Sequence, residues 1–314
     1  MKHEDVHVVT CIFNPLGYKS RTRLYNKFIK HMKESGVSIH VIECATKDSK
    51  YTTKEDKDIH QMYVRSKSIL WSKENLLNII LARLPPTAKY VLVADADIEY
   101  LDLDWPAKLK AALDKKPIVQ AWSKCFDLGP DGKPMVVNAM GEKVHESFAY
   151  YYAKFGTVTN EMQRYAHPGY AWGFTSEALK QQGGLFEYGI LGGADRYMAT
   201  AWINKSNYSF NLSETSAEFI EYAYAWTENA QRVINGNIGC LDLIIKHGFH
   251  GYKNKRNYVS RKQILIVHDY NPATDLVKNA DGVLEYAGNK PRMEKEIEDY
   301  FSTREEDEHL KVKA

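Results

Sequence analysis

The first 125 residues alternate between apolar runs and amphipathic stretches, and this alternation restricts the fold more than any other feature of the sequence. The apolar runs are nearly continuous, which is typical of strands buried on both faces. They lie at residues 6–13, 37–44, 90–94 and 118–122. Stretches that end near Gly36, at Pro85-Pro86 and near Lys115 are predicted to be helices. This order predicts an α/β fold with a mixed, mainly parallel sheet and helices on both faces.

The composition is that of a globular protein, with 314 residues, of which 44% are hydrophobic and 26% are charged. Lys and Arg number 42 and Asp and Glu number 40, so bulk charge does not attract nucleic acid or membrane, although a local patch can still act. The four cysteines are far apart in sequence, which disfavours a disulfide framework and fits a reducing compartment. No apolar run reaches membrane-spanning length, so we expect a cytoplasmic protein without a transmembrane segment.

The second half of the chain is less regular, and no Ser/Gly or Pro linker separates it from the first. We predict a tight turn at 129–132, helices at 194–203 and 217–234, and a strand at 241–245. The polar stretch at 45–58 is predicted to be a loop. We therefore expect one continuous domain made of two parts, residues 1–125 and 126–270. A helical, acidic tail over 271–314 follows them.

Asp95 and Asp97 follow directly after the predicted strand at 90–94. Strand side chains two residues apart point the same way, so these carboxylates would repel each other unless a cation lies between them. A divalent ion with oxygen ligands resolves that conflict, and a bound diphosphate can complete its coordination. Open α/β sheets bind ligands beyond the carboxyl ends of their strands, which favours this interpretation over two aspartates that merely cap a turn.

A second motif joins two histidines to a run of basic residues: His247, His250, Lys253 and Arg256. Imidazole is a common transition-metal ligand, and the basic side chains suit diphosphate oxygens. The alternative is a solvated basic loop with two ordinary surface histidines. The motif by itself leaves both interpretations open.

The segment Gly192-Gly193-Ala194-Asp195 is the third motif. Paired glycines let the backbone pass close to a ligand, and Asp195 falls in the first turn of a predicted helix. A carboxylate at this place can serve as a general base, or it can simply cap the helix. Sequence spacing does not separate the two roles.

Two cations lie at helix starts on the same stripe as core residues, Arg21 ahead of Leu24 and Lys73 ahead of Leu77. A charge in such a position is costly unless it reaches a cleft or a partner. A diphosphate at the edge of the sheet would satisfy both cations. Alternatively, each long side chain extends to water.

Four segments, taken in order, resemble the GT-A glycosyltransferases, especially the β-1,4-galactosyltransferase-like and family 2-like branches. They are FNPLGYKSRTR (13–23), LWSKENLLNIILARLPPTAKYVLVADADI (70–98), GYAWGFTSEALKQQGGLFEYGILGGADRYM (169–198) and IIKHGFHGYKNKR (244–256). The resemblance implies the GT-A fold, the Rossmann-like fold of nucleotide-diphospho-sugar transferases. It makes residues 1–125 the nucleotide-sugar-binding half, and residues 126–270 the half that binds the acceptor and carries a metal loop.

The resemblance also implies roles for individual residues. Mn²⁺ or Mg²⁺ would be bound by Asp97 with Asp95 and by His247 or His250, of which we prefer His247 because it directly follows a strand. Asp195 matches the family's catalytic aspartate. The residues expected on the nucleotide side are Asn14, Arg21, Glu43, Lys73, Asp95, Lys253 and Arg256. The acceptor side would include Gly193 and Trp172, although a tryptophan there can equally belong to the core.

The implied activity is metal-dependent, inverting transfer of a sugar from a nucleotide donor, expected to be UDP-linked, to an acceptor hydroxyl. The acceptor is open: a cell-envelope glycan precursor, a small molecule, a protein or a hydroxymethylated base in DNA. Ala194 stands where the family usually has a glutamate, and we expect no membrane anchor of the kind that Golgi relatives carry. Two alternatives remain, a nucleotidyltransferase that makes nucleotide sugars and a non-catalytic binding protein. Neither the donor sugar nor the oligomeric state follows from the sequence.

Overall fold

The computed structural model describes residues 2–138, 140–212, 215–258 and 260–311. The strands are β1 (His3–Phe13), β2 (Val37–Thr46), β3 (His60–Ser66), β4 (Tyr90–Ala94), β5 (Ile98–Tyr100), β6 (Ile118–Gln120), β7 (Lys124–Asp127), β8 (His145–Ser147), β9 (Ala166–His167), β10 (Ala171–Thr175), β11 (Ile238–Cys240), β12 (Ile244–His247), β13 (Leu276–Lys278) and β14 (Leu284–Tyr286). The helices are α1 (Lys19–Glu34), α2 (Lys73–Leu81), α3 (Trp105–Leu113), α4 (Phe148–Phe155), α5 (Ser176–Gln181), α6 (Ala194–Trp202), α7 (Ala217–Ile234), α8 (Arg261–Val267), α9 (Pro272–Asp275), α10 (Pro291–Ser302) and α11 (Glu308–Lys311).

The main sheet follows the order β11-β6-β10-β4-β1-β2-β3 within the described residues. Neighbouring strands β4, β1, β2 and β3 are parallel, and β11 is parallel to β6. Strand β10 runs antiparallel between β4 and β6. The α/β fold with a mixed, mainly parallel sheet, predicted from the alternating pattern, is thus confirmed.

The two faces of this sheet bury two hydrophobic cores. Along β4, Val91 and Val93 belong to the core that also contains residues of α2, α6 and α7. The residues between and after them, Leu92 and Ala94, belong to the opposite core, with residues of α1 and α3. Alternate burial on two faces explains why the strand is apolar throughout, because neither face meets water.

Several stretches differ from the sequence-based prediction. The tail over 271–314, expected to be helical, contains the antiparallel pair of β13 and β14 as well as helices, because a turn at 279–283 folds the chain back on itself. Strand β3 was not predicted: it is an edge strand whose side chains are mostly exposed or half-buried, so it lacks an apolar run. The strand predicted at 241–245 is wrong in its bounds, because β11 ends before it and β12 begins within it. Between them the chain passes from the main sheet to the second sheet, with Leu241 bonded to Gln120 and Leu243 bonded to Ser123.

A second sheet follows the order β5-β12-β7-β8-β9. It begins immediately after Asp97, so the Asp95–Asp97 segment joins the two sheets. The predicted turn at 129–132 is present beyond β7, where the Gly129 N–H donates to the Lys133 carbonyl. Of the helices in the described part of the chain, none combines the length and the apolar character needed to cross a bilayer.

Candidate metal and substrate site

A cavity of about 690 Å³ lies beyond the carboxyl ends of β1 and β4. Residues 10–13 and 94–97 form its floor, as expected for a ligand site in an open α/β sheet. Its other walls come from the start of α2, the Gly192–Asp195 loop, and the segments that follow β12 and α10. The cavity therefore brings together motifs that are as far apart in sequence as Arg21 and Arg304.

Three potential metal ligands meet in this cavity: Asp97, His247 and His250. The Nε2 atoms of the two histidines are 3.2 Å apart. Oδ2 of Asp97 lies 3.6 Å from Nε2 of His247 and 3.2 Å from Nε2 of His250. The other carboxylate oxygen, Oδ1 of Asp97, is buried without a hydrogen-bond partner.

Strand register explains why these residues meet. In the second sheet, His247 is opposite Ile98 on one side and opposite Asp127 on the other. The N–H of Gly248 donates to the carbonyl of Asp97 at 2.8 Å, which joins the backbone after β12 to the aspartate segment. A Cβ on Gly248 would lie 2.2 Å from a Leu24 methyl, so only glycine fits this close approach without movement.

Asp127 holds the ring of His247 from behind. Its Oδ1 is 2.9 Å from His247 Nδ1, so Nε2 is directed at Asp97. The same buried carboxylate bonds His145 at 2.7 Å, the Tyr170 hydroxyl at 2.8 Å and the Lys253 ammonium. Burial opposes ionisation, but the bonds from His145 and His247 hold the pKa of Asp127 far below its usual range. A carboxylate behind an imidazole is a common support for metal-binding histidines.

Glu306 supports the second histidine in a comparable way. This buried carboxylate lies 3.4 Å from Nδ1 of His250 and makes two bonds to the guanidinium of Arg21. It also accepts from Nε of Arg304 at 2.7 Å. The next residue, Asp307, accepts from the first N–H groups of α1. The C-terminal segment therefore forms one wall of the site.

The surroundings shift the pKa values of the three clustered side chains in different directions. Burial disfavours the Asp97 carboxylate, but the adjacent His247 and His250 hold its pKa well below its usual range. Burial also opposes the charging of His247, yet Asp97 and Asp127 raise its pKa to about 9. His250 has a pKa lowered to about 3, because it is buried beside Arg21 and Arg256.

Asp95 points to a different partner from Asp97. Its carboxylate bonds the ammonium of Lys73 at the start of α2. Burial and the nearby Asp97 raise the pKa of Asp95, whereas Lys73 opposes that rise. The structure thus places Asp97 with the histidines and Asp95 with the lysine.

Tyr170 connects these aspartates to the second sheet. Its φ of 76° lies in the left-handed region, which is uncommon for a residue other than glycine. In this conformation its carbonyl accepts from the Asp95 N–H at 2.8 Å, while its hydroxyl donates to Asp127. Its ring stacks on His167 at 4.2 Å, so one residue aligns several walls of the cavity.

Asp195 lies in the first turn of α6, behind the left-handed Gly193 that begins the helix. Its Oδ1 accepts the N–H of Arg196 at 2.9 Å. Its Oδ2 faces Gly169, where an added Cβ would lie only 2.8 Å away. The carboxylate therefore stabilises the helix start with one oxygen and borders the cavity with the other.

The structure leaves three of the predicted site residues outside the described lining of the cavity. Asn14 closes the turn before α1 by bonding the backbone of Tyr18. Glu43 is buried and accepts hydrogen bonds from Thr52 and Thr53. Trp172 packs against Trp202 in the core, as the alternative for it stated. The remaining predicted residues line the cavity: Arg21, Lys73, Asp95, Asp97, Gly193, Asp195, His247, His250, Lys253 and Arg256.

Sequence reasoning missed several polar residues of the site and of its support. They are Glu74, Asp127, His145, His167, Tyr170, Arg261, Arg304 and Glu306. Glu74 carried a usable signal, since it follows Lys73 at the same helix start, and burial raises its pKa to about 7. Asp127 and Glu306 carried none, because their importance arises from contacts with residues that are distant in sequence.

No protein-family model and no curated protein matches the chain. Among solved structures, Staphylococcus aureus TarS in complex with UDP-GlcNAc is 10% identical with a TM-score of 0.44, covering 97% of this chain and 82% of that chain. The catalytic domain of Drosophila β-1,4-galactosyltransferase 7 in complex with xylobiose is 14% identical with a TM-score of 0.33, covering 64% of this chain and 61% of that chain.

A third similar structure is 4-diphosphocytidyl-2C-methyl-D-erythritol synthase from Anaerococcus prevotii. It is 12% identical with a TM-score of 0.34, covering 77% of this chain and 90% of that chain. Of the galactosyltransferase domain described above, this chain covers 61%, which is less than two thirds. These similarities concern the fold. The resemblance to GT-A glycosyltransferases noted in the sequence is found again among solved structures.

Proposed function

We propose that the protein is a metal-dependent glycosyltransferase that moves a sugar from a UDP-linked donor to an acceptor hydroxyl with inversion. One observation carries the proposal: a single cavity holds the Asp97–His247–His250 cluster, several cations and the carboxylate of Asp195. A nucleotide-sugar transferase needs these three elements, namely a metal site for the diphosphate, positive charge around it and a base for the acceptor.

The geometry of the cluster fits a divalent cation. Ligands about 2.1 Å from a metal are separated by about 3.0–3.4 Å in octahedral or tetrahedral arrangements. The ligand atoms of Asp97, His247 and His250 are separated by 3.2–3.6 Å. The unpartnered Oδ1 of Asp97 is a further buried acceptor in the same place. Two imidazole ligands favour a first-row transition ion such as Mn²⁺ over Mg²⁺, which prefers oxygen.

The residues around the cluster would bind the diphosphate and orient the two imidazoles. A bound divalent cation would offset the charge of the departing diphosphate. Arg256, which contacts His250, is positioned to bind phosphate oxygens next to the cluster. Lys73 neutralises Asp95 and borders the same space. Asp127 and Glu306 hold the two imidazoles in the orientation that directs Nε2 at Asp97.

Asp195 would act as the general base. It would take the proton of the acceptor hydroxyl while that oxygen forms a bond to the anomeric carbon and the diphosphate departs with the electrons of the broken C–O bond. The supporting observation is that its Oδ2 faces Gly169 at the cavity wall, although Oδ1 is engaged with the helix. Attack from the side opposite to the leaving group gives inversion.

Calorimetry with UDP, with and without Mn²⁺, tests the donor and metal assignment. Binding should require the cation in the wild type and should be lost in Asp97→Asn. The matched control is Asp102→Asn, because Asp102 is paired with Lys108 on the surface outside the cavity lining. UDP binding of equal strength without metal, or in Asp97→Asn, would contradict the assignment.

A panel of nucleotide sugars with Mn²⁺ then tests the reaction itself. Slow release of UDP from one donor, and faster release with an acceptor, is the expected result. Release of pyrophosphate from a nucleoside triphosphate and a sugar phosphate would instead identify a nucleotidyltransferase and refute the proposal.

A further inference from the structure

Arg261, a cation of the cavity wall, has no anionic partner among the described residues. Arg261, at the start of α8, is only 7% exposed. Its Nη1 donates to the hydroxyl of Tyr300 at 2.7 Å, and its guanidinium lies over the rings of Tyr258 and Tyr300. Its Nε is buried without a partner, and no described carboxylate forms an ion pair with it. Burying a charge without a counter-charge is costly, so the guanidinium is poised to bind an anion.

Other cations of the same cavity are neutralised by the protein. The cations that bond a carboxylate are Arg21 and Arg304 with Glu306, Lys73 with Asp95 and Lys253 with Asp127. Arg256 lacks such a bond but contacts His250 and the Tyr258 hydroxyl, which places it beside the proposed metal cluster. Within the described part of the chain, Arg261 thus combines near-complete burial with the lack of both a carboxylate and a contact with the clustered histidines.

Arg261 lies beside the Gly192–Asp195 loop. A Cβ added to Gly192 would lie 3.4 Å from Nη2 of Arg261 and 3.5 Å from the ring of Trp71. Gly192 has a φ of 82° and lies in the same loop as Asp195, just before α6. The free donors of Arg261 thus border the loop that carries the proposed base, and the missing side chain of Gly192 leaves room beside them.

We propose that Arg261 forms an anion subsite for a phosphate or carboxylate group carried by the substrate, separate from the nucleotide diphosphate. The inference rests on the proposed function, since it concerns the same cavity. The anion belongs either to the acceptor or to the donor sugar, because both must approach Asp195. A planar guanidinium with free N–H donors suits either oxyanion.

Calorimetric titration with methyl phosphate and with acetate tests the subsite in protein saturated with UDP and Mn²⁺, where the diphosphate position is filled. We expect methyl phosphate or acetate to bind the wild type, and Arg261→Met to weaken that binding by at least about tenfold. The affinity for UDP should change by less than about threefold. The matched control is Arg232→Met, which alters an exposed arginine outside the cavity lining.

Comparing UDP-glucuronic acid with UDP-glucose identifies the source of the anion. A preference for the glucuronic acid donor that Arg261→Met abolishes assigns the anion to the donor sugar. Equal affinity for the two donors, with phosphate or acetate binding still dependent on Arg261, assigns it to the acceptor. If Arg261→Met does not fold, Arg261→Lys replaces it as the test variant. Lysine keeps the charge but loses the planar donor pair, so we expect weaker binding of the anion.

Two results would overturn the subsite. One is methyl phosphate and acetate binding that is absent in the wild type or equal in the variant. The other is a loss of UDP affinity as large as the loss of anion affinity, since Arg261 would then bind the diphosphate. If UDP binds neither protein, the donor assignment fails separately, and Arg261-dependent binding of methyl phosphate to the free protein would still support the subsite.

Discussion

Acid should destabilise the protein through buried histidines on the first strands of the main sheet. His40 on β2 is 5% exposed, and its Nε2 lies 3.0 Å from Nδ1 of His7 on β1. Its ring stacks on His60 of β3 at 4.6 Å. Burial, reinforced by His60 and His7, lowers the pKa of His40 from 6.5 to about 3. The folded state therefore keeps His40 neutral at a pH where the unfolded chain protonates it.

The sign and size of the effect follow from this difference. Because the unfolded state binds the proton more readily, the free energy of unfolding falls as pH decreases from about 6.5 towards 3. At about pH 5, some 1.5 units below the unfolded pKa, the free energy of unfolding should be about 2 kcal/mol lower than at neutral pH because of His40. That figure uses less than half of the shift, so it does not depend on the exact folded pKa.

Urea unfolding of the wild type and His40→Gln, at about pH 7.5 and about pH 5, measures this contribution. Glutamine can still bond His7 but does not titrate. The variant should lose about 2 kcal/mol less than the wild type between the two pH values, whatever its stability at neutral pH. Using the difference between proteins removes the contribution of His31, whose pKa burial also lowers and which is not among the groups that shift the pKa of His40.

His60→Gln is the control, because His60 is exposed and contributes only part of the environment of His40. This variant should keep most of the acid sensitivity of the wild type. The reasoning would be refuted if wild type and His40→Gln lost the same free energy on acidification, within about 0.5 kcal/mol.

Three further predictions concern the site. Asp195→Asn should keep its melting temperature and UDP affinity, because the Asn side-chain oxygen can still accept the N–H of Arg196, while turnover falls about 10²–10⁴-fold; near-normal turnover would exclude Asp195 as the base. Glu306→Gln should weaken Mn²⁺ binding about 10–100-fold in a calorimetric titration, because Arg21 and His250 lose their carboxylate; unchanged affinity would mean that Glu306 only anchors the tail. Gly169→Ala should reduce turnover more than thermal stability, since the new Cβ would lie 2.8 Å from Asp195 Oδ2; a variant with full turnover would show that this oxygen can move freely.

The sequence by itself determined four strands of the main sheet, namely β1, β2, β4 and β6. Strands such as β4 are apolar along their whole length, and local turns and helix ends bound them, so neighbouring residues are enough to predict them. Local context also identified Asp97 at the end of a strand and Asp195 at the start of a helix. The same approach failed for β3, whose exposed edge position removes the apolar pattern.

Only the tertiary structure decided how the site is held together. Asp127 acts through His247, which is 120 residues away in sequence, because β7 and β12 pair in the register that aligns them. Glu306 reaches Arg21 from the far end of the chain. The tertiary structure also decided that Asp95 pairs with Lys73 while Asp97 faces the histidines. Such contacts depend on strand register and on the packing of distant segments, and a carboxylate in the sequence gives no sign of which distant cation it will meet.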